Sequence, residues 1–587
     1  MNIKGYSFNI QAFEDKYIGT ILDIFFLNMS DENIEKLENY KFNKPNDTLS
    51  ILRLYNFEME FMLHKLPGQT EGEFKEFIEN QLEKHTSIKV EYTEELIEAG
   101  YFSFGEPHLY AIFKSTSLNK LKMFYNCLLK SVRLYYESIH TKLHSMSSWD
   151  KLFLNETESP FRYTKCLNIK EVKYYLSTKY KIPCVGGFEI NISEKDKKLI
   201  KKGNKLDLSE YSPKIYDENR YEIFTLNCSE NRIFKNFKQN PDINGVKYLS
   251  IMSYDIETYT QQEDLPEKDK VIMCIGLSMF TLLDQKPVWK KCLSIKDFDT
   301  KDLENQNISF DIIPGKSFER KIIVDDENGE TEYIIFKDEK SMLLYFVKQL
   351  ILYKPTFFNG FNSFGFDNPY VESRIKLYKK ECPELNIYMM QAYSCYDYED
   401  LIAKFNSLND NKKRFWDYKH LIPEYKDMIG IKFDGEINTN NAFWIGTSTI
   451  STDTYKFMLM ANAKLFSQEG RGNLDTMLEV KKVKNPFTGK PLSKTGLSYA
   501  EMYDRWDNNY DIYSVLKYCM FDAFICTSLL IKTMDIYDKI EMANLVNINI
   551  YDTMFRAVTT KVENIIREYA YKNNFAVMDA IVPNQRE

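Results

Sequence analysis

Residues 253–258 read Ser-Tyr-Asp-Ile-Glu-Thr and close an apolar stretch that begins at Val246. Asp255 and Glu257 are two positions apart, and alternate side chains of a β-strand project to one face of the sheet. Two carboxylates held side by side repel each other unless a cation neutralises them. The pair therefore predicts a strand that presents oxygen ligands to Mg²⁺ or Mn²⁺, although a solvated strand face would show the same pattern.

A further acidic position follows a Gly- and Asn-rich loop in residues 357–370, which read FFNGFNSFGFDNPY. We predict a strand that ends at Phe358 and a helix that begins beside Asp367. Asn368 can cap this helix, and Pro369 suits its first turn. The Asp367 carboxylate would then be held by a rigid element and remain open to substrate; a plain strand-to-helix loop is the alternative.

Tyr518 and Asp522 lie four positions apart in a stretch with helical periodicity, residues 513–533. Residues at this spacing share one face of a helix. That face would otherwise belong to the core, where an unpaired aspartate is costly. A bound metal ion would offset this cost, so the third segment indicates the same kind of site as the first two.

The three segments lie within residues 251–535, where predicted strands alternate with predicted helices and indicate an α/β domain. We predict an N-terminal domain over 1–250 and a helical segment with a short strand over 536–587. The clearest patterns are strands at 109–113, 271–280 and 575–582 and helices at 118–133, 341–352, 369–380 and 513–533.

The lysine-rich stretch 194–205 is predicted to be an exposed loop, with a DNA-backbone contact as the alternative.

The composition is that of a globular protein. Of 587 residues, 44% are hydrophobic and 28% charged, which excludes wholesale disorder, and the formal net charge of −8 means that DNA contacts must come from local patches. The ten cysteines contain no CxxC pair, which favours free thiols in a reducing compartment. Neither a signal peptide nor an apolar run of about 18 residues is evident, so we expect a soluble, intracellular protein without membrane contact.

In this order the three segments resemble the Exo I, Exo II and Exo III motifs of the family B DNA polymerases, which carry a DEDDy-type 3′→5′ proofreading exonuclease. The first pair of acids matches Exo I, Asn362 with Asp367 matches Exo II, and Tyr518 with Asp522 matches Exo III. Gly365 stands where many eukaryotic relatives have Asn, and this form is similar to that of T-even phages. Residues 154–162 resemble the stretch before the exonuclease in delta-type and large-DNA-virus polymerases. Residues 560–583 resemble the segment that links the exonuclease to the palm in this family.

This resemblance implies an RNase H-like exonuclease domain, with a mixed sheet flanked by helices, and a discontinuous mixed α+β N-terminal domain. It implies hydrolysis of DNA at a single-stranded 3′ end or a primer–template, with two Mg²⁺ or Mn²⁺ ions. The implied metal ligands are Asp255, Glu257, Asp367 and Asp522. Tyr518 would orient the attacking water, and Thr258, Asn362 and Phe366 would contact the terminal nucleotide.

The polymerase palm motifs of this family, D-x-x-S-L-Y-P-S, K-x-x-x-N-S-x-Y-G and Y-G-D-T-D-S, do not occur in the sequence. Residues 451–454 (STDT) lack the second acid of the last motif, so we expect no polymerase role for them. DNA synthesis would therefore come from a palm-bearing segment or subunit, with a processivity factor as a further candidate partner. The location, in a viral or phage replication complex or in the host cytoplasm or nucleus, stays open.

Two other functions remain as alternatives: a stand-alone DEDD-type exonuclease, and a non-catalytic DNA-binding or scaffold subunit. Lys517 stands where the DEDDh subclass needs His, which favours the tyrosine subclass.

Residues 412–416 (KKRFW) predict either a DNA contact or a solvated turn followed by core aromatics. His140 and His144 lack a third ligand, so we expect no zinc site there.

Overall fold

The structure, a computed structural model, describes most of residues 2–577. The residues outside this description are 1, 16–18, 39–48, 56, 67, 95–96, 100–103, 108, 144–160, 163–166, 168, 193–196, 202–219, 229–236, 260–269, 283–285, 300–302, 304–308, 315–317, 326–328, 395–422, 427–430, 434–435, 439–440, 460–471, 495, 557, 574 and 578–587. The basic segment 412–416, the segment 154–160 and His144 therefore lie outside the described residues, as does the side chain of His140.

The N-terminal part contains two larger sheets. Its strands are β1 (Asn2–Asp15), β2 (Gly19–Asn28), β3 (Leu49–Tyr55), β4 (Met59–His64), β5 (Lys89–Thr93), β6 (Ile97–Ala99), β7 (Phe104–Pro107), β8 (Tyr110–Ser115), β9 (Phe161–Arg162), β10 (Gly186–Asn191), β11 (Lys197–Lys201), β12 (Arg220–Asn227) and β13 (Phe237–Gln239). Its helices are α1 (Asp31–Glu38), α2 (Glu71–Leu82), α3 (Leu118–Leu143) and α4 (Ile169–Tyr180). The sheets run β11-β12-β3-β2-β1-β10-β13 and β5-β8-β4-β9, and the predicted strand and helix near residue 110 are confirmed as β8 and α3.

The prediction of an exposed loop at 194–205 is wrong at its centre. Lys197–Lys201 forms the edge strand β11, which pairs antiparallel with β12. Leu199 and Ile200 supply apolar residues between lysines. Lysines are common on edge strands because their charge discourages pairing with another chain, so a lysine-rich segment is compatible with a strand at this position.

The second part of the chain is built on one eight-stranded sheet. The strands of this part are β14 (Ser250–Thr258), β15 (Ile272–Thr281), β16 (Trp289–Ser294), β17 (Ser309–Pro314), β18 (Phe318–Asp325), β19 (Gly329–Phe336), β20 (Phe357–Gly360), β21 (Glu424–Lys426), β22 (Ile431–Phe433), β23 (Glu436–Asn438), β24 (Phe443–Ile445) and β25 (Ile450–Asp453). The helices are α5 (Glu339–Tyr353), α6 (Asp367–Tyr378), α7 (Glu384–Ala392), α8 (Leu474–Lys481), α9 (Tyr499–Asn508) and α10 (Ile512–Thr533). The sheet order is β17-β18-β19-β16-β15-β14-β20-β25.

This sheet is mixed, because β14 is antiparallel to β15 and parallel to β20. Helices cover both faces. Tyr254 and Ile256 of β14 belong to the apolar cluster that includes α5, whereas Cys274 of β15 belongs to the cluster that includes α10. Since strand side chains alternate, Asp255 and Glu257 face α10. The predicted mixed sheet flanked by helices is confirmed.

Helix α10 lies directly on the sheet, opposite Gly276 of β15. A Cβ atom at Gly276 would be 2.4 Å from the carbonyl oxygen of Cys519, so only glycine allows this approach. The Gly276 N–H donates to the Cys519 sulfur at 3.1 Å. Ile512–Thr533 is long and apolar enough to cross a membrane, but 83% of its most apolar window is buried inside the fold. We interpret it as the central core helix of this part of the protein.

The last described elements lead back to the N-terminal part. They are α11 (Asp535–Val546), α12 (Ile550–Phe555), α13 (Val558–Asn573) and β26 (Phe575–Val577). Strand β26 pairs parallel with β6, and the Asn549 amide both accepts from and donates to the backbone of Ile10 at 3.1 and 3.0 Å. The predicted helices and short strand of the tail are confirmed as far as Val577.

Candidate active site

All eight residues predicted for the site line one cavity of about 630 Å³. These residues are Asp255, Glu257, Thr258, Asn362, Phe366, Asp367, Tyr518 and Asp522. They come from β14, from the loop between β20 and α6, and from α10. The structure therefore brings together three segments that are more than a hundred residues apart in the sequence at their nearest.

The loop after β20 is held by a buried aspartate for which no role was predicted from the sequence. Asp453, at the end of β25, is 1% exposed and accepts hydrogen bonds from the N–H groups of Asn362 and Phe364, both at 3.0 Å. Asn362 has a left-handed φ of 58°, which Asn tolerates better than most residues. Because Asp453 ties down this strained turn, it positions Asn362 and the residues that follow.

Asp367 is the first residue of α6, and the predicted cap at Asn368 is wrong. Phe366 occupies the N-cap position and makes no side-chain cap. The Asn368 side chain instead accepts from the Tyr254 hydroxyl and donates to the Ala442 carbonyl at 3.0 Å. The Ile256 N–H donates to the Asp367 carboxylate, so the two motif segments are joined by a direct hydrogen bond.

Lys494 is a cation in the acidic cavity that was not predicted from the sequence. Its Nζ lies 2.5 Å from Oδ2 of Asp522 and donates to the Tyr518 hydroxyl at 3.0 Å. Its own N–H donates to Asp475 of α8 at 2.6 Å. Lys494 follows a short hairpin in which Lys484 pairs with Pro491. No local pattern marks this lysine, because only the hairpin geometry brings it to α10.

Burial raises the pKa of all four carboxyl groups, and their mutual repulsion adds to the rise at Asp255 and Glu257. The pKa of Glu257 rises to about 8, that of Asp367 to about 7 and that of Asp522 to about 6. The pKa of Asp255 is raised well above its usual range by burial, then by Asp522 and Asp367. Lys494 opposes the rise at three of the four, but one ammonium group does not balance four carboxylates.

The residues fit a site for divalent cations. Oδ1 of Asp522 is buried and has no hydrogen-bond partner, and an all-oxygen set of carboxylates is what Mg²⁺ and Mn²⁺ prefer. Within the described part of the chain, no three acidic, histidine or cysteine side chains stand close enough to ligate one ion together.

The raised pKa values predict how stability depends on pH. A carboxyl group whose folded-state pKa exceeds its unfolded value of about 4 stabilises the fold when protonated, and this contribution is lost as pH rises. We expect the melting temperature of the metal-free protein to fall between about pH 5 and pH 8, and Mg²⁺ to raise it more at pH 8 than at pH 5. Calorimetry at both pH values with and without Mg²⁺ tests this; a Mg²⁺ effect that shrinks with rising pH would contradict it.

Aromatic side chains form the mouth of the cavity. Phe366 and Tyr499, the first residue of α9, are both exposed and line it. The hydroxyl of Tyr503, on the same helix, donates to the Thr258 carbonyl at 3.2 Å. Exposed rings beside a charged site are suited to stacking against nucleobases. Phe366 was predicted from the sequence, whereas the two tyrosines belong to no motif and were not.

The cavity combines four buried acids, a protonated tyrosine and exposed rings on an RNase H-like mixed sheet, an arrangement typical of nucleases. Residues 195–392 match the family model for the exonuclease domain of DNA polymerase family B. No curated protein matches the chain. The chain therefore contains the exonuclease domain of a family B DNA polymerase. The matched region includes the acids of β14 and Asp367, whereas Tyr518 and Asp522 join the site through the fold.

Proposed function

We propose that the protein is the N-terminal and exonuclease part of a replicative family B DNA polymerase, and that it proofreads by removing nucleotides from DNA 3′ ends. The observation that carries the proposal is the convergence of Asp255, Glu257, Asp367 and Asp522 with Tyr518 in one cavity. We further propose the domain boundaries 1–250, 251–535 and 536–587, and a soluble intracellular location.

Two Mg²⁺ or Mn²⁺ ions held by the four carboxylates would supply an activated water and stabilise the leaving 3′ oxygen. The protein's own groups bind and orient the DNA end. Burial and the nearby Asp522 raise the pKa of Tyr518 above its usual value, so its phenol is protonated at neutral pH. Lys494 donates to its oxygen and the phenol hydrogen-bonds to the Asp522 carboxylate. These two contacts hold the phenol beside a metal ligand, where Tyr518 would orient the water rather than deprotonate it.

The remaining groups around the cavity hold the terminal nucleotide. Phe366 and Tyr499 would stack against unpaired bases, since their rings are exposed at the mouth. Asn362 and the backbone of Thr258 would contact the sugar and phosphate. The Lys494 ammonium would offset negative charge that develops on the reacting phosphate. This arrangement favours a frayed single-stranded end over a paired one, because stacking requires free base faces.

The direct test uses single-stranded DNA labelled at its 5′ end. With Mg²⁺ or Mn²⁺ we expect a ladder of products shortened from the 3′ end and release of 5′-mononucleotides. EDTA should stop the reaction. A substrate blocked at its 3′ end should resist degradation, and rapid cleavage of that blocked substrate would contradict exonuclease action.

We predict that the chain alone does not extend a primer, because its sequence lacks the palm motifs whose acids hold the polymerase metals. The assay should use the Asp255→Ala/Glu257→Ala variant, so that nuclease action does not mask extension. A primed template with all four deoxynucleotides and Mg²⁺ should give no longer product. Template-directed extension by the pure protein would refute this prediction.

Helix α13 presents an apolar stripe that suits contact with a palm-bearing segment or subunit. Val562, Ile565, Ile566 and Tyr569 are 46 to 62% exposed. The opposite face of the helix is tied to the body by the buried Asn564, whose amide donates to the Val546 carbonyl at 2.6 Å. The helix therefore turns its polar side inward, which is the reverse of an ordinary surface helix.

We expect Ile565→Glu to weaken association with a palm-bearing polypeptide at least about tenfold, because a charge would be buried in an interface of at least about 1,000 Å². Nuclease activity and melting temperature should stay nearly unchanged, since the side chain is half exposed. Met123→Glu, an exposed apolar position on α3, is the matched control. Unfolding of the Ile565→Glu protein, or equal binding by both variants, would contradict the proposed interface.

A further inference from the structure

A second cavity, of about 610 Å³, lies where α10 ends, between the hairpin that follows α8 and the start of α11. It shares no lining residue with the acidic cavity. Along α10, Lys532 is ten residues beyond Asp522, which is about 15 Å at the rise of an α-helix. The groove is therefore a separate feature of the surface and is independent of the proposed catalysis.

The floor of this groove is apolar. Leu282 and Val483 are buried beneath it, and Ile531 and Pro486 are partly exposed within it. Tyr537 is the only aromatic residue among the described lining residues, and its hydroxyl donates to the Leu282 carbonyl. The hairpin is rigid at this point, because the Leu492 N–H donates to the Val483 carbonyl at 2.9 Å. The floor is thus a preformed apolar surface.

Three lysines form the rim of the groove. Lys482, Lys484 and Lys532 are exposed, and none of their ammonium groups has a hydrogen bond or ion pair within the described part of the chain. Lys482 is the C-cap residue directly after α8 and has a left-handed φ of 52°. Asp535, the first residue of α11, interacts electrostatically with Lys481 and Lys539. The rim therefore keeps an unneutralised positive charge in a protein of net charge −8.

We propose that this groove binds an acidic peptide segment of a partner protein, with an aliphatic or aromatic side chain on the floor and carboxylates at the three lysines. An apolar floor with separate cations at its rim is complementary to such a segment in both shape and charge. Single-stranded DNA fits less well, because base stacking needs exposed flat rings and the single ring here is bonded at the groove wall.

The test measures fluorescence anisotropy of the labelled peptide Asp-Asp-Glu-Leu-Phe-Asp-Asp. We expect saturable binding that weakens with salt, and at least about tenfold weaker binding when the two apolar residues are replaced by serine. Reversing the rim charges with Lys482→Glu, Lys484→Glu and Lys532→Glu together should also weaken binding at least about tenfold. Lys484→Glu alone should have a smaller effect in the same direction and serves if the triple variant fails to fold.

A matched control reverses three exposed lysines on α3 and makes the same change in net charge. The control substitutions are Lys120→Glu, Lys122→Glu and Lys130→Glu. Peptide binding should be unchanged in this control, and the rim variant should keep its exonuclease activity on a short single strand. The proposal would be overturned if the protein did not bind the peptide, or bound the serine peptide equally well. It would also be overturned if the rim variant kept peptide binding but lost binding to oligothymidylate, a single-stranded DNA probe.

Discussion

Replacement of both Asp255 and Glu257 by alanine is expected to lower the rate of 3′-end hydrolysis about a thousandfold or more. The two carboxylates lie on one face of β14 and face α10. The other acids among the described lining residues of the cavity are Asp367 and Asp522, which the proposed mechanism already uses as metal ligands. Burial and mutual repulsion raise the pKa of each carboxyl group. Removing them relieves repulsion, so the melting temperature should be equal to or higher than that of the wild type.

Single-turnover hydrolysis and calorimetry on the same preparations separate these two effects. Glu76→Ala/Glu79→Ala on α2 is the control, because it removes the same charge from an exposed helix. The control protein should keep full activity. Wild-type hydrolysis by a folded Asp255→Ala/Glu257→Ala protein would remove these acids from the proposed mechanism.

Substitution of Lys494 by methionine is expected to lower kcat about a hundredfold, with a smaller change in KM. Methionine keeps most of the length of the side chain but loses the ammonium group that contacts Asp522 and Tyr518. The phenol would then lose the donor that fixes its orientation, and the reacting phosphate would lose a nearby cation. Lys494→Arg should recover part of the activity, because it restores the charge.

Lys490→Met, on the exposed turn of the same hairpin, is the control for Lys494→Met. Mn²⁺ binding to each variant, measured by calorimetry, gives a second readout. If Lys494→Met cleaves DNA at the wild-type rate and binds Mn²⁺ more tightly, the lysine only fills the place of a cation and has no part in the reaction.

The elements that carry the motifs were predictable from the sequence because each has a clear local period. The two-residue spacing of Asp255 and Glu257 predicted their strand, and the four-residue spacing of Tyr518 and Asp522 predicted their helix. Both elements are present as β14 and α10. The start of the helix at Asp367 was also predicted, but the cap was not, since the Asn368 side chain makes long-range contacts instead.

Two contributors to the site could not be predicted, because they depend on contacts between distant parts of the chain. Asp453 bonds to the N–H of Asn362 across 91 residues of sequence, which requires the parallel pairing of β20 with β25. Lys494 reaches Tyr518 only through the hairpin that follows α8. A lone buried aspartate and a lysine in a loop have no spacing pattern, so sequence periodicity cannot identify them.

The proposed reaction in this cavity is hydrolysis of the terminal phosphodiester of DNA by attack of water on phosphorus. Hydrolysis of single-stranded DNA in water enriched in oxygen-18, followed by mass spectrometry of the released nucleotides, tests it most directly. We expect 5′-mononucleotides that carry one oxygen-18 atom in the phosphate, formed from the 3′ end and absent with Asp255→Ala/Glu257→Ala. Released nucleotides with a 3′-phosphate, or equal yields from the variant, would contradict it.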